Sequence, residues 1–162
     1  MRSVFIFLIA LLSYAIELPK EFSAEFNQTI ISENQKITYK GNIFYNNGNL
    51  VWKYVYPSEK IIWIKDKFYI YEPDLYQVTI AKRDQTTLNE IIKKAKKTGE
   101  NLYRYDKDDK KIYFVYDKIL KKLYYTDDMG NKVVINFYNQ KNSVNLSAFE
   151  IKIPKDVDYI YK

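Results

Sequence analysis

Short runs of alternating apolar and polar residues, rich in β-branched and aromatic side chains, recur along nearly the whole chain, each ended by a turn former. A period of two belongs to strands, and runs this short, spaced about 8–12 residues apart, build sheets rather than helical bundles. Leu50-Val51-Trp52-Lys53-Tyr54-Val55-Tyr56 stops at Pro57. Ile61-Ile62-Trp63-Ile64 turns at Lys65-Asp66-Lys67 into Phe68-Tyr69-Ile70-Tyr71, which ends before Pro73, and reads as a hairpin. Further strands are expected at Phe26–Ser32, Lys36–Tyr45, Tyr76–Ala81, Asn101–Tyr105, Lys111–Asp117, Lys121–Thr126, Lys132–Asn139 and Phe149–Ile153. Turn chemistry separates them at Asn46-Asn47-Gly48-Asn49, Asp106–Asp109 and Asp127–Asn131. The pattern predicts one large, strongly bent antiparallel sheet, with no linker and no repeat.

One segment departs from period two. Thr87-Leu88-Asn89-Glu90 is a capping box, in which the Thr oxygen accepts the amide three residues on and the Glu reaches back. Leu88, Ile91, Ile92 and Ala95 then recur at helical spacing, with Lys93, Lys94, Lys96 and Lys97 on the other face and Gly99 at the end. A helix of about three turns is predicted. A short helical turn is also expected at Pro19–Glu25.

The two faces of the strands raise a question. Leu50, Trp52, Tyr54 and Tyr56 share one face, while Val51, Lys53 and Val55 share the other, and Ile61–Tyr71 is apolar or aromatic on both. A half-buried sheet ordinarily shows one apolar and one polar face. Either tyrosine-rich outer faces are tolerated because Tyr carries a polar tip, or the sheet curves around a cavity with the helix as a partial lid. Patterning leaves both open.

The chain has 162 residues, 17 Tyr, 9 Phe and 2 Trp, and neither Cys nor His. Without those two residue types there is no disulfide, no Cys or His metal site, and no His-dependent nucleophilic catalysis. Asp106, Asp108 and Asp109 lack the spacing of a calcium loop, so no metal is expected. Met1-Arg2-Ser3, the apolar run Val4–Leu12 and Ser13-Tyr14-Ala15 have the layout of a cleaved signal peptide, so residues 1–15 are expected to be an export signal and residues 16–162 a single domain. Export and a net charge of only +6 argue against nucleic acid as a partner. An outer-membrane barrel is disfavoured by the lysines that punctuate most strands, and a carboxylate hydrolase by the lack of two acids placed together.

Four stretches, in order, resemble the LolA family of periplasmic lipoprotein carriers. Phe22-Ser23-Ala24-Glu25-Phe26-Asn27-Gln28-Thr29 is similar to its opening F-x-A-x-F-x-Q pattern. Gly41-Asn42-Ile43-Phe44-Tyr45 and Leu50-Val51-Trp52-Lys53-Tyr54 are similar to its glycine strand and following Trp strand. Lys65–Thr79 carries the Y-x-P-x-L-x-Q-V core of the family as Tyr71-Glu72-Pro73-Asp74-Leu75-Tyr76-Gln77-Val78, and Phe149–Asp158 resembles its closing segment. Three departures stand out. Only Ile16–Lys20 precedes Glu21-Phe22 where the family has a longer helix; the Asn46–Asn49 turn lacks the arginine that latches the lid in some members; and no Gly separates Asp66 from Lys67.

The resemblance implies a mainly β fold with a helical lid (α+β), an unclosed, strongly curved antiparallel β-barrel enclosing a hydrophobic cavity. It implies a periplasmic chaperone, without catalysis or cofactor and acting as a monomer. Such a protein takes acylated lipoproteins from an inner-membrane ABC transporter and passes them to an outer-membrane acceptor or the outer membrane itself. A lipid-binding or lipid-sensing module on the same fold is the alternative. On this reading Leu50, Trp52, Tyr54, Trp63 and Phe68 contribute to the cavity wall, and Leu88, Ile91, Ile92 and Ala95 close it from the helix. Lys93, Lys94, Lys96 and Lys97 are a candidate docking patch for an acidic partner surface or anionic head groups.

Overall fold

The computed structural model describes residues 16–83 and 88–162. The expected signal peptide, and Thr87 of the capping box, lie outside them. Twelve strands form one sheet: β1 (Glu21–Ile31), β2 (Lys36–Asn46), β3 (Asn49–Tyr56), β4 (Lys60–Ile64), β5 (Lys67–Glu72), β6 (Gln77–Lys82), β7 (Lys96–Gly99), β8 (Leu102–Lys107), β9 (Lys110–Asp117), β10 (Ile119–Thr126), β11 (Lys132–Lys141) and β12 (Asp158–Tyr161). Their spatial order is β12-β6-β5-β4-β3-β2-β1-β11-β10-β9-β8-β7, so β1 is the seam between two meanders. All pairings are antiparallel except β12 on β6.

The connectivity forces the sheet to curl. β6 and β7 stand ten strand spacings apart, about 48 Å across a flat sheet. They are joined through the helix α1 (Leu88–Lys94). A connection of that length reaches at most about 40 Å, counting 1.5 Å per helical residue and full extension elsewhere. The sheet therefore bends into an unclosed barrel, with α1 over its concave face and Ile92 buried against it.

Alternation sorts the side chains. Phe22, Ala24, Phe26, Gln28 and Ile30 of β1 face inward, opposite Tyr45, Ile43, Gly41, Tyr39 and Ile37 of β2. Phe137, Ile135 and Val133 of β11 continue that face on the other side. Phe26 is the hub: its ring lies 4.8 Å from Trp52 and 5.2 Å from Tyr54, and Trp52 meets Phe137 edge-on at 6.0 Å. Phe26 packs directly over Gly41, its cross-strand partner, where any side chain would collide with that ring.

Four expectations are corrected. The helix ends at Lys94 rather than running to Gly99, because Ala95 is the last apolar position it can bury and Lys96–Gly99 instead pair with β8. Pro19–Glu25 is not a helical turn: β1 already begins at Glu21, so that Phe22 and Ala24 enter the core. Phe149–Ile153 is not a strand but follows a 3-10 turn, Leu146–Phe149, laid on the convex face. The last strand is instead Asp158–Tyr161, too short to announce itself in the sequence.

Candidate functional site

Beside the aromatic hub the concave face is left uncovered, and a cleft of about 510 Å³ opens there. That volume is in the range of ligand pockets, about 300–1,000 Å³. Ile30, Tyr39, Tyr54, Pro57, Ile62 and Leu75 supply its apolar and aromatic lining, and Gln28, Ser58, Glu59, Lys60, Glu72 and Asp74 its polar lining. Cross-strand register explains the lining: Trp52 pairs with Ile62 and Ile62 with Ile70, so one row of apolar side chains crosses β3, β4 and β5 on the same face. At the outer end, Lys60 Nζ pairs with Glu72 at 2.9 Å, which neutralises both charges where the cleft meets solvent.

One polar contact lies inside. The Tyr54 hydroxyl donates to Gln28 Oε1 at 2.9 Å, bridging β3 to β1 over β2. Burial pushes the Tyr54 pKa up to about 12, so the hydroxyl keeps its proton. The Trp52 indole opposes that rise from beside the phenol oxygen, although its Nε1 makes no well-formed hydrogen bond.

The structure brings most of the expected wall residues together. Leu50, Trp52 and Tyr54 pack against the same core as Leu88, Ile91 and Ile92 of α1 and Ala95 just after it. Phe68 joins their face through Ile64, which pairs with both Leu50 and Phe68. Trp63 does not. It pairs with Val51 and therefore lies on the convex face, buried under the C-terminal segment, where its indole Nε1 donates to the Ala148 carbonyl at 3.2 Å. Trp52 is also more enclosed than a wall position, being held between Phe26 and Phe137. Among the expected residues only Tyr54 borders the open cleft.

Sequence reasoning missed Gln28, Ile30, Tyr39, Ile62 and Leu75. Gln28 stood in the quoted F-x-A-x-F-x-Q run, and the Phe22-Ala24-Phe26 alternation already set it on the inner face. The others needed the strand register. It also missed Arg83. The family's turn arginine is absent, yet Arg83 donates through Nη2 to the Gly48 carbonyl at 3.0 Å and through Nη1 to the Lys65 carbonyl. It ties the chain leading into α1 to two turns at the opposite end of the barrel from the cleft. Lys93 and Lys94 are exposed in the last turn of α1, whereas Lys96 and Lys97 are exposed on β7, so the four lysines span two elements rather than one helix face.

A protein of Campylobacter jejuni subsp. jejuni serotype O:2 named outer-membrane lipoprotein carrier protein is 33% identical over 145 residues, covering 86% of this chain and 85% of that protein. The chain belongs to that family, LolA. Proteins of the same name from Wolinella succinogenes and Helicobacter pylori are 37% identical over 98 residues and 35% identical over 88. These matches cover 58% and 52% of this chain, and 57% and 47% of those proteins. No family model matches the chain. A solved structure of a LolA superfamily protein from Nitrosomonas europaea overlays with a TM-score of 0.46 at 11% identity, over 84% of this chain and 93% of that one. The family assignment rests on the sequence relationship to the Campylobacter jejuni protein over most of both chains.

Proposed function

We propose that this LolA family chain is a periplasmic chaperone that shields the acyl chains of lipoproteins between the inner and outer membranes, by binding and transfer without catalysis. An exposed acyl chain costs about 0.8 kcal/mol per methylene in water, on the order of 12 kcal/mol for sixteen carbons. A carrier has to cover that surface and still release it. The observation that carries this reading is the uncovered cleft, with Ile30, Tyr39, Tyr54, Ile62 and Leu75 in its lining and a packed aromatic hub beside it, in a chain related to a carrier protein over most of its length. The hub supports the fold when the cleft is empty, so occupancy is not needed for stability. Release then exposes only the cleft lining.

On this reading an inner-membrane ABC transporter loads the chain, and an outer-membrane acceptor or the outer membrane itself unloads it. The exposed Lys93, Lys94, Lys96 and Lys97 serve as a docking patch that steers encounter with an acidic surface. On this reading the wall extends beyond the cleft along the same face, to Leu50 and Phe68 of the sheet and to Leu88, Ile91, Ile92 and Ala95 on the helix side. The test is purification of the protein from periplasm and mass spectrometry of what travels with it. Acylated lipoproteins are the expected cargo. Free lipid alone, with lipoproteins correctly placed in cells lacking the protein, would favour a lipid-binding module with no delivery role.

A further inference from the structure

Resting on the acyl-carrier reading, we propose that Gln28 is the polar anchor of the cleft, its side-chain amide donating to the carbonyl oxygen of the neutral ester or amide that joins an acyl chain to its head group. Gln28 is only 9% exposed and lies between Phe26 and Ile30 on the inner face of β1. A carboxamide offers two donor hydrogens and an acceptor oxygen. The Tyr54 hydroxyl satisfies the oxygen, donating to it at 2.9 Å. The Nε2 hydrogens are left over. Among the described residues no group accepts from them, and Gln28 borders the cleft.

In the empty cleft those hydrogens are open to water, but a hydrocarbon tail covering them would leave a buried donor unpaired, which is costly. A ligand that places an oxygen acceptor beside Ile30 and Tyr54 removes that cost. The charges around the cleft decide which acceptor. Glu59, Glu72 and Asp74 border it; Lys53 engages Glu59 at 3.6 Å and Lys60 engages Glu72 at 2.9 Å, so both cations are already paired and the rim keeps a net negative charge from Asp74. A free carboxylate or a phosphate would meet net negative charge there. An uncharged carbonyl meets none of that repulsion, and it is the acceptor found where every acyl chain joins its glycerol or amine.

The test compares two fluorescent glycerolipids of equal chain length, dipalmitoylglycerol and its dihexadecyl ether analogue, which lacks only the carbonyls. Binding is titrated on the delipidated full chain and on Gln28→Met. The wild type is expected to hold the ester about tenfold more tightly than the ether, which corresponds to about 1.4 kcal/mol. Gln28→Met should bind both equally, near the wild-type value for the ether. Equal binding of ester and ether by the wild type overturns the role of Gln28 while leaving the carrier reading intact, and so does an unchanged ester preference in Gln28→Met. Failure of the wild type to bind either lipid overturns both. The ester–ether comparison on the wild type needs no variant, so a folding defect in Gln28→Met does not protect the proposal.

Discussion

Arg83 Nη2 donates to the Gly48 carbonyl oxygen at 3.0 Å, so the segment that enters the helix is fastened to the β2–β3 turn. The turn is shaped for it: Asn47 and Gly48 both have positive φ, as a two-residue hairpin loop requires, and the Gly48 carbonyl is left free to accept. Arg83→Ala is expected to destabilise the chain by about 1–3 kcal/mol, since hydrogen bonds to a charged donor are lost. Hydrogen exchange should accelerate most in Leu88–Ala95. Arg83→Lys should rescue less than half of the loss, because an ammonium cannot reproduce the forked contact to Gly48 and Lys65. Unchanged exchange in α1 would show that the fastening does not hold the lid.

Tyr54 gives a pH signature. Its pKa is 10.0 in an unfolded reference and about 12 in the folded chain, chiefly through burial. Below pH 10 the phenol is neutral in both states and its contribution is fully present. Between pH 10 and 12 the unfolded chain loses the proton while the folded chain retains it, so stability falls as pH rises, by no more than about 3 kcal/mol. Tyr45, Tyr116 and Tyr125 are shifted in the same direction, again mainly by burial. Urea unfolding midpoints from pH 8 to 12 should therefore decline steeply in the wild type and less steeply in Tyr54→Phe. Parallel curves would contradict a buried neutral phenol.

Trp63 and Ile62 are neighbours in sequence on opposite faces, and their substitutions should separate. Trp63→Phe removes the hydrogen bond to Ala148 beneath the C-terminal segment, at a cost of about 1–2 kcal/mol, with increased proteolysis around 145–157 and acyl binding unchanged. Ile62→Asp places a charge in the cleft lining and should weaken acyl binding at least tenfold, with a smaller change in melting temperature because Ile62 is only half-buried. Lipid titration and thermal melts on both variants check this. A Trp63→Phe protein that lost lipid affinity would return the convex face to the site.

Gly41 is the least replaceable glycine. A Cβ there would strike the Lys53 carbonyl and lie 2.8 Å from Phe26 Cζ, and Phe26 is fully buried at the hub. Gly41→Ala is expected to cost about 3 kcal/mol or more, since neither backbone nor hub can yield. Soluble yield and circular dichroism would report it, and a variant melting like the wild type would mean that β2 and β3 can separate freely.

Much of this was legible from local pattern. The alternation of Leu50–Tyr56, Ile61–Tyr71 and Lys132–Asn139 specified strands, because period two is a property of a backbone that turns each successive side chain to the opposite face. Leu88, Ile91, Ile92 and Ala95 specified where a helix must touch the core. The ordered motifs from Phe22 to Asp158 gave the family. What alternation cannot state is which face of one strand meets which face of the next. Pairing Val51 with Trp63, rather than with Ile62 or Ile64, sent one tryptophan outward and kept the other inward. The helix end at Lys94 was decided by the free edge of β8, the parallel strand Asp158–Tyr161 by the edge of β6, and the Arg83 contacts by turns far away in the chain. The cleft, too, is a product of curvature: Gln28 and Tyr54 meet only because the sheet bends their side chains together over β2. Side-chain order along a strand is local and is written in the sequence, whereas register, edges and curvature arise from pairing between distant segments.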